Sequence, residues 1–237
     1  ANINNLGEID YTDLLEKINS KTKLISLTHM SNVTGSITNF EKINNIRKKL
    51  NIPLLIDGCQ FTPHHLLNLK ELDPDFYVFS AHKLYGPSGL GVLYMKDTWI
   101  DKLGPYQGGG SMIKNVETNS STYLDGNHKF EAGTPPIAEI IGLGVAVGYL
   151  EKIGMEAIRE HEQNLTSYAL DLLTERFGDD LTIHGPEEAV NRSGVISFSY
   201  RDIHPHDISQ VLDQYGVCVR AGHHCCQILH ERLNLTA

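Results

Sequence analysis

The sequence is poor in basic residues and in long apolar runs, and each shortage disfavours a class of partner. It contains 20 Lys and Arg against 29 Asp and Glu, which gives a formal net charge of −9. Nucleic-acid binding needs clustered Lys and Arg to neutralise phosphates. The longest apolar run, Ile140 to Leu150, is well short of the ~20 residues of a membrane-spanning helix. We therefore expect no nucleic acid and no membrane as partners, and a buried helix for this run.

Cysteine is also scarce, which bears on disulfides and metals. Four cysteines are too few for a disulfide scaffold in a chain of 237 residues, and no C-x-x-C pair suggests a structural metal. His223, His224, Cys225 and Cys226 are consecutive, so they cannot readily surround one zinc ion as a tetrahedron. The N-terminus shows no targeting signal. These features predict a protein without bound metal in a reducing cytoplasm.

The apolar residues of the first half alternate between strand and helix patterns. Helical spacing is seen over residues 11–18 and 40–50, and β-rich runs occur at Lys23 to Ser31, Pro53 to Asp57, Asp75 to Ser80 and Gly89 to Met95. Such alternation is typical of α/β proteins with a mainly parallel sheet. We predict an α/β fold for this half.

The second half starts with helical patterns and ends with a smaller α/β unit. Residues 137–177 are predicted to be helical with an interruption near Gly154. A strand (Gly194 to Tyr200), a helix (Pro205 to Gly216) and a strand (Val217 to Arg220) should follow. This order predicts a large domain over residues 1–153 and a smaller one over 154–237.

Two strand ends carry residues that suit a pyridoxal phosphate site. Asp57 ends one strand, and Ser80, His82 and Lys83 follow another, where ligands of α/β sheets bind. A carboxylate beside a pyridine nitrogen keeps it protonated, and a Lys amine can form the Schiff base that holds the aldehyde. Either residue alone could be an ordinary cap or a solvated lysine. Their combination, followed by a Gly-rich segment, favours the cofactor site.

Several segments together resemble the Suf-type, or group II, cysteine desulfurases. They are H-x-S-N-V-x-G from His29, D-G-x-Q from Asp57, S-A-H-K-L-Y-G-P-S-G-L-G from Ser80, G-G-G-S-M-I from Gly108, F-E-A-G-T-P from Phe130 and R-A-G-H-H-C from Arg220. Their order also matches, and they extend over essentially the whole chain. This group belongs to the class V aminotransferase superfamily of fold-type I pyridoxal-phosphate enzymes, so the resemblance implies that fold.

The resemblance also implies a role for each matching residue. Lys83 would hold the cofactor covalently and act as a catalytic base, and Cys225 would be the nucleophile that becomes a persulfide. The remaining cofactor-binding residues would be Asn32 beside the cofactor and substrate, Asp57 at the pyridine nitrogen, Gln60 at the phenolic oxygen, Ser80 and His82 at the phosphate, and Thr134 at the phosphate of the neighbouring subunit. The last role implies a homodimer.

The surroundings of Cys225 support a reactive thiol independently of the resemblance. A thiol attacks as the thiolate, so nearby cations or dipoles must lower its pKa from about 8.5. Arg220, His223 and His224 lie close in sequence. We expect Cys59 and Cys218 to be buried and unreactive, because each lies in or beside an apolar strand.

The chain departs from the resemblance at one internal position and at both ends. Cys226 stands where the family has a small residue. The family has a segment before the equivalent of Ala1, with a His that stacks on the cofactor, and continues beyond the final HERLNLTA to an Arg that binds the substrate carboxylate. Both domains are therefore expected to be incomplete.

The expected activity is conversion of L-cysteine to L-alanine, with transfer of the sulfur to Cys225 and then to a Suf-type acceptor for iron–sulfur cluster assembly. L-Selenocysteine is an alternative substrate. Another class V aminotransferase or a kynureninase-like enzyme would share Asp57 and Lys83 but would need no thiol. A catalytically inactive fragment is the remaining alternative.

Overall fold

The computed structural model describes residues 1–235, which form two compact units. The sheet unit comprises residues 22–27 and 44–155. The terminal unit comprises residues 1–21, 28–43 and those from Glu156 onward. These units are defined by contacts within the structure, and the two domains expected from the sequence, residues 1–153 and 154–237, stay a prediction.

A four-stranded sheet is the centre of the sheet unit. Its strands are β1 (Ile25–Thr28), β2 (Leu54–Asp57), β3 (Phe76–Ser80) and β4 (Gly91–Met95), in the order β1-β2-β3-β4. β2 and β3 are parallel, whereas β3 and β4 are antiparallel. The four strands predicted from the sequence are thus all present, although each is shorter than its apolar run.

Helices and two small antiparallel sheets complete the described structure. The helices are α1 (Tyr11–Lys17), α2 (Phe40–Leu50), α3 (Leu69–Leu72), α4 (Asp97–Ile100), α5 (Ile137–Ile153), α6 (Met155–Phe177), α7 (Pro205–Gln214) and α8 (Gln227–Arg232). The antiparallel pairs are β5 (Ile113–Val116) with β6 (Ser121–Tyr123), and β7 (Leu181–His184) with β8 (Ser197–Tyr200). The predicted break near Gly154 is confirmed, because α5 ends there and α6 begins at Met155.

Two predictions about local structure are wrong. The segment Val217 to Arg220 is not a strand, and Val217 and Val219 are 48% and 40% exposed. α5 is not buried on all sides: Ala146 and Leu150 are buried, but Ile141 is 66% exposed. In both cases the apolar pattern alone did not determine pairing or burial. Within residues 1–235, no helix combines the length and apolar character needed to cross a membrane.

In the terminal unit, a buried arginine fixes the loop between β7 and β8. Arg192 is fully buried, and its guanidinium donates to the carbonyl oxygens of Pro186 at 2.7 Å and Val195 at 2.6 Å. The same loop reaches the segment after β1, since the backbone N–H of Ser193 donates to the oxygen of Gly35 at 2.9 Å. Backbone hydrogen bonding thereby holds residues near Gly35 in place.

In the sheet unit, a buried ion pair joins α2 to the residues that precede β3. Arg47 and Asp75 are 5% and 8% exposed, and Arg47 Nη1 lies 2.6 Å from Asp75 Oδ2. Asp75 also accepts from the backbone N–H of Leu54 and from the indole N–H of Trp99, both at 2.9 Å. The Asp75 carboxylate therefore accepts hydrogen bonds from α2, β2 and α4.

Replacing Asp75 should destabilise the sheet unit strongly. Asp75→Ala removes the nearest carboxylate partner of the buried Arg47, which keeps its contacts with Asp73 and Asn44. It also leaves the N–H donors of Leu54 and Trp99 without an acceptor, and the combined loss costs about 3 kcal/mol of unfolding free energy. Urea denaturation followed by the fluorescence of Trp99, the single tryptophan, measures this loss. The exposed Asp101→Ala is the control and should change stability by less than about 0.5 kcal/mol. Equal effects of the two variants would contradict the role of Asp75.

Candidate functional site

The parallel pairing of β2 and β3 brings the predicted polar residues to one edge of the sheet. Asp57 lies opposite Val78 in the register, and Ser80 ends β3 two residues later. A 3-10 helix, Ala81–Leu84, follows directly and contains His82 and Lys83. Because parallel strands end at the same edge, this edge is where an α/β sheet binds ligands.

The turn after β2 is shaped by a tyrosine beneath it. The backbone N–H of Cys59 donates to Asp57 Oδ1 at 2.9 Å, which fixes the carboxylate within the turn. A Cβ on Gly58 would lie 2.0 Å from the hydroxyl of Tyr77, so only glycine fits here. Burial, followed by the charges of Asp57 and Cys59, raises the pKa of Tyr77. Tyr77 therefore remains neutral, and sequence patterns gave no sign of its position under the turn.

Cys59 is part of this sheet edge. It is half-buried, and its Sγ lies 3.7 Å from the hydroxyl oxygen of Ser80. Burial and the neighbouring Asp57 raise the pKa of the Cys59 thiol. Cys59 is only partly buried, which corrects the prediction of a buried cysteine, whereas its raised pKa favours the unreactive thiol form.

The exposure of the other groups at this edge suits a ligand-binding role. Asp57, His82 and Lys83 are exposed, and Gln60 is half-buried. Lys83 forms no ion pair within the part of the chain that the structure describes. An amine can form the Schiff base of pyridoxal phosphate and a carboxylate can pair with its pyridine nitrogen, while a hydroxyl and an imidazole can donate to its phosphate. The residues present therefore fit that cofactor.

In the terminal unit, the predicted nucleophile lies in a tight turn. The backbone N–H of Cys226 donates to the oxygen of His223 at 2.8 Å. The two residues between them, His224 and Cys225, have φ values of 50° and 64°. Two central residues with positive φ are characteristic of a type I′ turn, in which Asn and Gly are usual. The thiol of Cys225 is thus at the tip of a strained turn.

The two adjacent thiols have different surroundings. Cys225 is exposed, and Nη2 of Arg220 lies 4.0 Å from its sulfur. Cys226 is half-buried, and its thiol donates to Asn32 Oδ1 at 3.3 Å. Burial, and then the charge of Cys225, raises the pKa of the Cys226 thiol. Cys218 is exposed, so its predicted burial is wrong.

Histidines surround the turn, and one of them was not anticipated from the sequence. Burial, and then the charges of Arg220, His230 and His223, lower the pKa of His224, which favours its neutral form. His230 is buried on α8, and its Nδ1–H donates to the oxygen of Cys226 at 3.0 Å. The sequence gave one indication of this position: His230 follows Cys226 by four residues, the spacing at which residues of a helix are neighbours.

The predicted site residues fall into two groups. Asp57, Gln60, Ser80, His82 and Lys83 lie in the sheet unit, as does Thr134, which is exposed before α5. Asn32 and Cys225 lie in the terminal unit, where Asn32 contacts the turn of residues 223–226, which is called the nucleophile turn after the predicted role of Cys225. No cluster of three or more potential metal ligands occurs among residues 1–235.

Cysteine desulfurases of other organisms match nearly the whole of this chain in sequence. A probable cysteine desulfurase of Halalkalibacterium halodurans is 44% identical over 98% of this chain and 56% of its own length. A cysteine desulfurase of Haloferax volcanii is 41% identical over 98% of the chain and 54% of its own length. The chain therefore spans about half the length of these relatives.

Solved structures agree with these sequence matches. An apo cysteine desulfurase from Thermococcus onnurineus NA1 superposes with a TM-score of 0.91 and 33% identity, over 98% of this chain and 57% of that one. A cysteine desulfurase from Escherichia coli gives a TM-score of 0.90 and 31% identity, over 99% and 57%. Residues 1–237 match the aminotransferase class-V family along their full length. The chain belongs to the class-V aminotransferase family, with the α/β fold of its fold-type I members.

Proposed function

We propose that the protein is a pyridoxal-phosphate-dependent cysteine desulfurase of the Suf type. The observation that carries this proposal is the exposed Cys225 thiol at the tip of its turn, 4.0 Å from an Arg220 nitrogen. An exposed thiol beside a cation is the arrangement expected of a sulfur nucleophile. Aminotransferases and kynureninase-like enzymes of the same family need no such thiol, whereas the matched relatives are cysteine desulfurases.

The sheet-edge residues would bind the cofactor. Lys83 would hold it covalently through its exposed amine, with Asp57 at the pyridine nitrogen and Gln60 at the phenolic oxygen. Ser80 and His82 would bind the phosphate at the start of the 3-10 helix. Pyridoxal phosphate, when bound, supplies an electron sink for charge that develops at the substrate Cα.

The chain's own groups would then carry out proton and sulfur transfer. The amine of Lys83, when it is not bonded to the cofactor, would act as the base that removes the Cα proton of substrate cysteine. The Cys225 thiolate would attack the substrate sulfur, and the substrate C–S bond would break. Alanine leaves, and Cys225 retains the sulfur as a persulfide, so one cysteine and one thiol give one alanine and one persulfide.

The proposal extends to partners and location. An exposed persulfide requires an acceptor, and we propose a Suf-type protein that delivers the sulfur to iron–sulfur cluster assembly in the cytoplasm. L-Selenocysteine would be a second substrate, because its C–Se bond is weaker. Thr134, exposed in the loop before α5, would reach the phosphate in a second copy of the chain.

Lys83 should be the attachment point of the cofactor. Reduction with borohydride followed by peptide mapping should place pyridoxyl on Lys83, and Lys83→Ala should abolish the visible absorbance of the bound cofactor. Lys70→Ala, which changes another exposed lysine, should leave the absorbance intact. Pyridoxyl on a different lysine would overturn the assignment.

Replacement of Cys225 should separate cofactor binding from sulfur transfer. Cys225→Ser should reduce alanine release from L-cysteine by at least about a hundredfold, because an alcohol does not accept the sulfur. The absorbance of the bound cofactor should not change, since the thiol acts after the substrate binds. The matched control, Cys218→Ser, changes another exposed cysteine and should retain full turnover. Full turnover by Cys225→Ser would favour a different activity of the family.

Thr134 should contribute to cofactor binding across a homodimer. Sedimentation of the protein, with any flanking sequence that its reading frame encodes, should give a dimer. Thr134→Ala should weaken cofactor retention severalfold by removing one hydrogen bond to the phosphate. Thr118→Ala changes another exposed threonine, in the β5–β6 turn, and should retain the cofactor normally. A stable monomer that is fully loaded with cofactor would contradict the proposal.

A further inference from the structure

One side-chain amide contacts the nucleophile turn on both sides of Cys225. Nδ2 of Asn32 donates to the carbonyl oxygen of His224 at 2.6 Å. Oδ1 of the same amide accepts from the thiol of Cys226 at 3.3 Å. The first contact joins residues 192 positions apart in the sequence, and the second joins residues 194 positions apart. Both polar atoms of the Asn32 side chain therefore form hydrogen bonds to this turn.

The turn needs external contacts because its backbone is strained. His224 and Cys225 have positive φ angles, a backbone conformation that residues with a Cβ rarely adopt. Such a conformation persists only when surrounding contacts fix it. Cys226 makes two such contacts. Its carbonyl oxygen accepts a hydrogen bond from His230, and its thiol donates one to Asn32.

Asn32 is itself well anchored. The side-chain oxygen of Ser31 accepts from the backbone N–H groups of Val33 at 3.2 Å and Thr34 at 3.1 Å. The hydroxyl of Ser197 on β8 donates to the oxygen of Val33 at 2.6 Å. The residues that follow Asn32 are buried. Hydrogen bonds and burial therefore hold the backbone next to Asn32 in place, so its side-chain amide can restrict the position of the turn.

We propose that Asn32 and Cys226 form a clasp that positions the Cys225 thiol, so that Cys226 is a positioning residue and not a second nucleophile. The clasp consists of the two hydrogen bonds of the Asn32 amide. One of them occupies the proton of the Cys226 thiol, which leaves Cys225 as the thiol at the tip of the turn. The consequence for sulfur transfer rests on the proposed function, whereas the clasp itself does not.

A double-mutant cycle read by hydrogen exchange tests the clasp without any need for turnover. Cys226→Ala removes the thiol bond, and exchange of peptides spanning residues 222–228 should become about threefold faster, as expected for loss of one weak hydrogen bond. In an Asn32→Ala background, Cys226→Ala should cause no further change, because its partner is already absent. Cys218→Ala, which changes an exposed cysteine outside the turn, is the control and should have no effect.

Rescue and kinetics distinguish positioning from a purely structural role. Cys226→Ser keeps a donor for Asn32 Oδ1 and should restore slow exchange. In cofactor-loaded enzyme, Cys226→Ala should lower kcat about threefold with an unchanged KM for L-cysteine, and Cys226→Ser should restore kcat. Equal effects of Cys226→Ala on exchange in both backgrounds, or no effect in either, would overturn the clasp. Absence of alanine production by the unmutated enzyme would instead overturn the proposed function and leave the exchange result standing.

Discussion

The parallel register between β2 and β3 is the constraint on which the sheet edge depends. Leu54, Ile56 and Tyr77 are fully buried, so a slip of one residue would turn apolar side chains of either strand towards solvent. The same register sets Asp57 opposite Val78 and places Ser80 close enough for its contact with Cys59. Apolar packing within the sheet thereby determines where the polar groups at its edge lie.

The nucleophile turn is held by a different kind of interaction. Cys225 is exposed, so little apolar burial fixes it, and hydrogen bonds to the backbone and side chains do so instead. Positive φ values at His224 and Cys225 show that these bonds maintain a conformation that the residues would otherwise avoid. This strained, hydrogen-bonded turn therefore combines exposure of the Cys225 thiol with a defined position.

Local patterns in the sequence predicted most regular elements of the fold but not their surroundings. The strands and helices with clear periodicity are present, because alternation and helical spacing reflect burial on one side. The segment Val217 to Arg220 has the same alternation yet forms no strand, since pairing depends on a neighbour that local sequence does not specify. The β5–β6 hairpin was missed for the opposite reason: Lys114 and Asn115 give it a polar pattern.

The candidate site shows the same division between local motifs and long-range contacts. Asp57, Ser80 and Lys83 could be placed near one another, because strand ends of a parallel sheet converge. The position of Tyr77 under Gly58 and the contact of Asn32 with Cys226 could not, since both arise from tertiary packing. The exposure of Cys218 and α5 likewise depends on what covers them and not on their own residues.

A single-turnover reaction with L-cysteine that carries a heavy sulfur isotope tests the central claim most directly. After rapid quenching, mass mapping of the peptides identifies which thiol has received the labelled sulfur, and the released alanine is measured in the same sample. The account predicts labelled persulfide on Cys225 in equal amount to alanine, with Cys59, Cys218 and Cys226 unlabelled. Labelled sulfur on Cys226, or alanine without any protein-bound persulfide, would contradict it.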